Sequence, residues 1–169
     1  MKIRTRQVEY KDGKTSCIGY LAWNETFADP KPCVLVNHAW GGQDGFAQGK
    51  AVQMAALGYV GFALDNYGDG ALPETVDEKV AHMAPLKDNR KALLKRLKAG
   101  MKAAANLPEV DETHMAMMGF CFGGLCTLDL ARSGADLKAA ISFHGLLDAP
   151  NLPKKKIKAC GVLSVAIAY

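Results

Sequence analysis

An apolar run that turns at once into a glycine-rich hexapeptide constrains this chain more than any other sequence feature. Met115 to Met118 is typical of a buried strand, and Gly119-Phe120-Cys121-Phe122-Gly123-Gly124 follows it directly. Leu125 to Arg132 then has a helical pattern. A sharp turn from strand to helix leaves no space for side chains two residues either side of the turning residue, so both positions need glycine. The pattern therefore predicts that Cys121 is a nucleophile presented at such a turn.

The predicted turn gives Cys121 surroundings that suit acyl transfer. A thiolate is favoured at the positive end of the following helix. The amide of Phe122 would point at a developing oxyanion, and a second amide is expected from the loop after the strand that ends at Asn37. The alternative is that Cys121 is a small buried hydrophobic residue in a glycine-rich turn. The other four cysteines are predicted to be packing residues: Cys17, Cys33, Cys126 and Cys160.

The rest of the chain alternates strand and helix patterns. The predicted strands are an N-terminal hairpin over Ile3–Tyr10 and Ser16–Trp23, then Cys33–Val36, Tyr59–Leu64, Ala139–Phe143 and a last apolar run, Gly161–Tyr169. The predicted helices are Gln43–Leu57 and Val76–Asn106, the latter divided in two near Pro85. Strand-helix-strand units of this length are parallel crossovers. The fold class is therefore α/β, with a mostly parallel central sheet and helices on both faces.

Composition and charge exclude several classes of protein. Of the 169 residues, 49% are hydrophobic and 22% are charged, which is typical of one ordinary globular domain. No stretch approaches the roughly 18 apolar residues of a membrane span, and the first residues have no secretory signal pattern. The net charge of +4 is spread along the chain and does not predict nucleic-acid binding. Five cysteines without a C-x-x-C pair predict free thiols in a reducing compartment, and hence the cytoplasm.

The hexapeptide around Cys121 resembles the nucleophile turn of dienelactone hydrolases, enzymes of the α/β-hydrolase fold that use a cysteine nucleophile. Four further segments resemble landmarks of that family in the same order: Val36–Gly42, Ala55–Val60, Ala63–Gly70 and Ile141–Gly145. The resemblance implies hydrolysis of a small-molecule lactone or carboxylic ester through a cysteine thioester, without a metal or an organic cofactor. By position, it implies that Cys121 is the nucleophile and that the amides of Phe122 and Trp40 form the oxyanion hole.

Two departures from the family's pattern affect the expected activity. Ala39 stands where many members place a glutamate that interacts with the resting thiol. After Lys158 the sequence has neither the His-Gly turn nor the acid and histidine that complete the family's triad. We therefore expect residues 1–169 to be a single, incomplete α/β-hydrolase domain, shortened from a longer hydrolase, lacking the last strands and impaired in activity. The apolar edge over Gly161–Tyr169 would then be unprotected, and self-association through it is expected.

Four histidines could supply the base that a cysteine nucleophile needs. His38 and His144 end strands that flank the nucleophile strand, although a histidine at a strand end more often bonds loop backbone. His82 and His114 are predicted to lie on the surface. No histidine, aspartate or glutamate cluster has the spacing of metal ligands.

Four other charged residues are candidates for the site. Asp65 and Asp69 follow a strand and are predicted to form turns rather than to act as acids. Arg90 and Arg96 fall in the helical region where this family can place an arginine that binds the substrate carboxylate. A solvated helix face is the favoured interpretation for both.

A protein that keeps the fold and the pocket without the chemistry is the alternative function. Such a ligand-binding or scaffold protein predicts binding without turnover. A redox-responsive thiol is a third hypothesis, with Cys126 as the nearest cysteine on the same helix.

Overall fold

The computed structural model describes residues 1–153 and 155–165, which form seven strands and four helices. The strands are β1 (Ile3–Asp12), β2 (Thr15–Asn24), β3 (Lys31–Asn37), β4 (Val60–Ala63), β5 (Val110–Phe120), β6 (Ala139–Phe143) and β7 (Gly161–Val165). The helices are α1 (Gly45–Ala56), α2 (Val76–Asp88), α3 (Arg90–Ala105) and α4 (Phe122–Arg132).

All seven described strands join one sheet in the order β1-β2-β4-β3-β5-β6-β7. β1 and β2 form the predicted antiparallel hairpin, and β2 also runs antiparallel to β4. The neighbours from β4 to β7 are all parallel. The predicted, mostly parallel α/β sheet is confirmed, and the carboxyl ends of β3, β4, β5 and β6 meet at one edge.

Helices cover both faces of the sheet, and each face has its own core. α1 buries Ala47, Ala51 and Ala55, which recur every four residues on one side of the helix. α3 and α4 pack in the second core, on the other face. Successive residues of β3 serve the two cores, Leu35 with α3 and α4 and Val36 with α1, because side chains of a strand alternate between faces.

The break between α2 and α3 lies four residues beyond the predicted position. The predicted division of this region into two helices is confirmed, but the helices meet at Asn89, and Pro85 lies inside α2. Asn89 ends α2 and also begins α3, where its side chain accepts a hydrogen bond from the amide of Ala92 at 3.1 Å. The cap at Asn89 therefore sets the boundary, and the proline is accommodated in the last turns of α2.

Strand β5, which precedes Cys121, is longer than the sequence predicted. It begins at Val110 rather than Met115, and its pairing with β3 shifts register between Pro32 and Cys33. The sequence pattern did not predict this extension, because the polar residues Asp111 to His114 interrupt the apolar run. The bulge lets an exposed polar segment stay in the strand while Met115 and the residues after it enter the core.

β7 forms the outer strand of the described sheet. It pairs in parallel with β6, and its other side has no partner among residues 1–153 and 155–165. Leu163 in this strand is 55% exposed. The last four residues of the predicted apolar run, 166–169, lie outside the described residues.

Candidate active site

Cys121 occupies the turn between the end of β5 and the start of α4. Its backbone has φ 53° and ψ −116°, a conformation that costs a non-glycine residue roughly 1–3 kcal/mol. The turn is held from both sides: the Cys121 amide donates to the Phe143 carbonyl at 3.0 Å, and the Cys121 carbonyl accepts from the Gly124 amide at 2.9 Å. Strain of this kind at a half-buried cysteine is what a nucleophile turn requires.

The glycines of this turn are sterically necessary. A Cβ at Gly119 would lie 2.0 Å from the Gly123 carbonyl oxygen, and one at Gly123 would lie 2.4 Å from the Asn37 carbonyl oxygen. A Cβ at Gly124 would lie 2.7 Å from the Cα of Gly145. All three collisions are with backbone, so α4 can approach β3 and β6 this closely only without side chains. The predicted steric role of the glycines is confirmed.

The resemblance assigns the oxyanion hole to the amides of Phe122 and Trp40. Phe122 is the first residue of α4, so its N–H has no acceptor within the helix, and its ring is fully buried. Trp40 follows β3 and is 38% exposed. Tyr67 connects the two, because its ring stacks 6.2 Å from that of Phe122 and its hydroxyl donates to the Trp40 carbonyl at 2.8 Å.

Tyr67 is a site residue that sequence reasoning missed. Its ring also packs against His38, with centroids 4.7 Å apart, and against His82 at 5.2 Å. Burial, and then the neighbouring thiols of Cys126 and Cys121, raises the pKa of Tyr67. The hydroxyl therefore stays protonated and keeps its hydrogen bond to the Trp40 loop. An aromatic residue in the loop four positions after β4 was the available clue.

A buried network of hydrogen-bonded polar side chains supports the turn at Cys121. Thr127 in α4 donates to the Gly123 carbonyl at 3.0 Å and accepts from the side-chain amide of Asn37 at 3.3 Å. Asn66 in turn donates to the Asn37 side chain at 3.1 Å. These residues fix the first turn of α4 to the ends of β3 and β4, and they are too far apart in sequence for a local pattern to reveal them.

His38 is a structural residue in this arrangement. Its ring is buried, its Nδ1 donates to the Ala39 carbonyl, and its Nε2 accepts from the Asn66 amide at 3.2 Å. Burial lowers the pKa of His38, although the bond to Ala39 opposes this shift. Loop backbone thus occupies both ring nitrogens, as predicted for a histidine at the end of a strand.

The buried neutral His38 predicts a pH dependence of stability. An unfolded histidine, with its ordinary pKa of 6.5, takes up a proton before the folded one does. The free energy of unfolding should therefore fall as the pH drops below about 6.5 towards the lower folded pKa. Urea unfolding across this range measures the slope, which His38→Gln is expected to reduce. An unchanged slope in that variant would show that another group causes the pH dependence of stability.

The other histidines are placed differently. His144 is exposed, has φ 43°, and its ring lies 6.4 Å from that of Phe120. It directly follows Phe143, the residue that accepts from the Cys121 amide, but no hydrogen bond to its ring occurs in residues 1–153 and 155–165. His82 and His114 are exposed, as predicted.

Asp65 organises the loop after β4 rather than acting as an acid. Its carboxylate is buried and accepts four backbone amides, those of Ile18, Tyr67, Gly68 and Gly70, at 2.8 to 3.1 Å. Asp69 is exposed and has φ 53°. Both residues form turns, as the sequence indicated.

The favoured placement of both arginines on a solvated helix face was wrong. Arg90 makes two hydrogen bonds, of 2.6 and 2.8 Å, to the buried carboxylate of Asp129. Arg96 is itself buried and donates to Asp12 at 3.0 Å and to the Asn66 carbonyl at 2.8 Å. Burial opposes ionisation of Asp12, but the hydrogen bonds from Lys95 and Arg96 outweigh it and lower its pKa.

The cysteines divide into buried and accessible thiols. Cys17, Cys33 and Cys126 are buried packing residues, as predicted. Burial raises the pKa of Cys33 to about 12, which keeps this thiol protonated. Cys160 is exposed, so the prediction that it packs was wrong. The burial of Cys126 removes the nearest partner that a redox role for Cys121 would use.

No group of three or more histidine, cysteine, aspartate or glutamate side chains in residues 1–153 and 155–165 could hold a metal ion. None of the four described helices is both long enough and apolar enough to cross a membrane.

The strand order, the crossover helices and the strained cysteine between β5 and α4 define an α/β-hydrolase fold with a nucleophile turn. The sequence pattern of the dienelactone hydrolase family matches residues 18–167, and the chain belongs to that family.

Solved structures agree with this assignment. A protein named m3DLH shares 36% identity, with a TM-score of 0.90 over 97% of this chain and 68% of its own. A dienelactone hydrolase-like promiscuous phosphotriesterase from metagenomic libraries shares 33% identity, with a TM-score of 0.87 over the same shares of the two chains.

Curated relatives match over shorter segments. A Bradyrhizobium protein named "Probable 2-oxo-3-(5-oxofuran-2-ylidene)propanoate lactonase" is 28% identical over 118 residues, which are 69% of this chain and 47% of the relative. An uncharacterised Caenorhabditis elegans protein is 46% identical over 61 residues, 36% of this chain and 39% of the relative. The matched segments thus span less than half the length of either curated relative.

Proposed function

We propose that this chain carries the nucleophile and oxyanion hole of a hydrolase that cleaves lactones or small carboxylic esters. Cys121 is the nucleophile, and the amides of Phe122 and Trp40 bind the oxyanion. The observation that carries the proposal is the strained backbone of Cys121 between three glycines that no side chain could replace. A cysteine that merely filled space would not need this conformation.

The first chemical step is acylation of the thiol. The Cys121 sulfur attacks the ester carbonyl carbon, and the carbonyl oxygen becomes an oxyanion that accepts hydrogen bonds from the two amides. The C–O bond to the leaving group then breaks. The alcohol departs with a proton from the thiol or solvent, and the acyl group remains on Cys121 as a thioester.

The second step is hydrolysis of the thioester, which needs a positioned base that the described residues do not supply. Water must lose a proton as it attacks the thioester, and a positioned base accelerates that step by roughly 10²–10⁴-fold. His38 has both nitrogens bonded to backbone, and the His144 ring lacks an orienting partner within the described part of the chain. We therefore expect this chain to acylate and then deacylate slowly, which is the impaired activity that the sequence predicts.

Acylation with p-nitrophenyl butyrate tests the proposal. The expected result is a burst of about one nitrophenolate per chain, followed by slow turnover, with one butyryl group on the peptide that contains Cys121 by mass spectrometry. Butyrylation of Cys160 alone would overturn the proposal. Ester binding with no adduct and no burst would instead support the alternative, a ligand-binding or scaffold protein that keeps the fold.

Neutral esters are expected to react faster than esters that carry a second carboxylate. Arg90 and Arg96 are both engaged by carboxylates, those of Asp129 and Asp12, and the side chain of Trp40 is apolar and exposed. A second carboxylate entering the site would lose hydration without gaining a charge-assisted hydrogen bond, at a cost of about 1–3 kcal/mol or more, which predicts a preference of tenfold or more. Acylation rates with p-nitrophenyl butyrate and mono-p-nitrophenyl glutarate measure this preference.

Arg90→Lys provides the control for that comparison. The ratio of the two rates should stay the same in this variant, because Arg90 bonds Asp129 rather than the substrate. A faster reaction with the glutarate ester, lost in Arg90→Lys or in Arg96→Lys, would show that one arginine binds substrate.

We infer a reducing, cytoplasmic location from the thiols. All five cysteines are free, and the proposed reaction needs Cys121 as a thiol.

The edge of β7 that has no partner among the described residues is expected to cause self-association. An exposed strand edge with an apolar, outward-facing residue such as Leu163 is a template for pairing with a second chain. Sedimentation velocity should show a mean mass that rises with concentration, and Leu163→Lys should reduce this rise by adding charge to the strand. A monomer at every concentration would contradict the proposed edge contact.

A further inference from the structure

A cavity lies on the face of the sheet that α3 and α4 cover. Its volume is about 660 Å³, and it is bounded by α3, by the end of α4 and by residues 149–153 and 155–157, which form its outer wall. Cavities of about 300–1,000 Å³ accommodate drug-sized small molecules. We call this space the α3/α4 cavity.

The α3/α4 cavity is separate from the site at Cys121. Cys121 precedes the first residue of α4, whereas Asp129 and Arg132, which line the cavity, lie eight and eleven residues later. At 1.5 Å per residue these positions are about 12 and 16 Å along the helix from Cys121. The cavity is therefore at the opposite end of α4.

The outer wall of the cavity is fixed to α4 by several hydrogen bonds. The Lys155 amide donates to the Arg132 carbonyl at 3.3 Å. The Arg132 guanidinium donates to the carbonyls of Leu147 at 3.3 Å and Asp148 at 3.4 Å, and Arg90 donates to the Asp148 carbonyl at 3.0 Å. The two arginines thus hold the chain after β6 against the helix and keep the cavity formed.

The charge lining the cavity is positive. Lys91 and Lys98 project from one face of α3, and Lys155 comes from the outer wall. None of these three lysines has a carboxylate within 4.0 Å in residues 1–153 and 155–165. The acidic lining residue, Asp129, is already neutralised by its paired hydrogen bonds with Arg90. An anionic group entering the cavity would therefore meet uncompensated positive charge.

Between these lysines the lining is apolar. Leu94 lies between Lys91 and Lys98 on α3, while Leu152 and Ile157 face it from the outer wall. Ile157 is 39% exposed, so part of this apolar surface is open to water in the free protein. A ligand that combines an alkyl chain with one negative charge would cover the apolar surface and pair with the lysines.

We propose that the α3/α4 cavity binds an anionic amphiphile of small size, a medium-chain carboxylate, with its carboxylate between the lysines and its chain against Leu94, Leu152 and Ile157. This inference does not depend on the proposed reaction at Cys121. It adds a binding site that would let a free carboxylic acid occupy the protein without blocking the thiol.

Titration calorimetry with sodium decanoate, below its micelle concentration, tests the proposal. The protein is the full chain carrying Cys160→Ser, with Cys121 alkylated by iodoacetamide so that the thiol site is filled. We expect one decanoate per chain and no binding of acetate, which lacks the apolar chain. Absence of decanoate binding, or equal binding of acetate, would overturn the proposal.

Matched charge variants locate the ligand. Lys91→Glu with Lys98→Glu is expected to weaken decanoate binding at least tenfold. Lys11→Glu with Lys14→Glu changes the net charge equally on the distant hairpin and should leave binding within twofold. Ile157→Asp removes apolar wall without touching either helix and should also weaken binding at least tenfold. Equal loss in both lysine pairs, or unchanged binding in Ile157→Asp, would overturn the assignment to this cavity.

Discussion

Cys121→Ala is expected to abolish the nitrophenolate burst and the covalent adduct with p-nitrophenyl butyrate. Without the sulfur, no thioester can form, and ester cleavage falls to direct attack by water near the oxyanion amides. Removal of a nucleophile from a comparable site costs several powers of ten in rate, while an oxyanion hole alone retains roughly 10³-fold catalysis over water. We expect the rate of nitrophenolate release, measured by stopped flow, to fall at least a hundredfold.

Cys160→Ala is the matched control for this prediction, because Cys160 is an exposed thiol remote in sequence from the turn. Its burst should equal that of the unaltered chain. The strained conformation of Cys121 adds a second expectation, since alanine meets the same backbone cost and the variant should unfold at nearly the same urea concentration. A burst that survives in Cys121→Ala and disappears in Cys160→Ala would refute the assignment of the nucleophile.

The conformation of the turn could be predicted from sequence because its pattern is local. The strand, the cysteine and the glycines lie within ten residues, and Gly119 is required because Gly123 comes close to it. The mostly parallel sheet followed from the alternation of strand and helix patterns along the chain. The contacts of Gly123 with Asn37 and of Gly124 with Gly145 join distant segments, so the sequence pattern did not predict these partners.

The partners of the charged residues could not be predicted, because they are distant in sequence. Arg90 meets Asp129 from 39 positions away, and Arg96 meets Asp12 from 84 positions away. A sequence pattern predicts that a charged residue on a helix is exposed to solvent, unless its partner is known. The same reasoning explains Tyr67, whose contacts are with Trp40 in another loop and with Phe122 at the start of α4.

Positions near the end of the chain show a different source of error. The strand pattern near the end of the chain predicted that Cys160 packs, yet Cys160 lies immediately before β7 and is exposed. Apolar composition predicts burial only where another layer covers the strand, and the sequence of one strand does not contain that information.

Gly123→Ala is expected to destabilise the fold and to slow acylation together. Its Cβ would lie 2.4 Å from the Asn37 carbonyl oxygen and 2.6 Å from that of His38, so α4 must move away from β3. Overpacking against backbone costs about 1–3 kcal/mol or more in the free energy of unfolding. The same movement displaces the Phe122 amide from the oxyanion, so the burst should slow by at least tenfold. Urea unfolding and stopped-flow release of nitrophenolate measure the two effects.

Gly49→Ala separates this collision from the general effect of adding a methyl group to glycine. Gly49 lies inside α1, and a Cβ there would have no neighbour within 4 Å. Alanine is favoured over glycine in a helix interior by about 0.5–1 kcal/mol, so this variant should be more stable, with an unchanged burst. The two substitutions are chemically identical and are expected to act in opposite directions. If Gly123→Ala kept full stability and a normal burst, close contact between α4 and β3 would not be what positions the nucleophile.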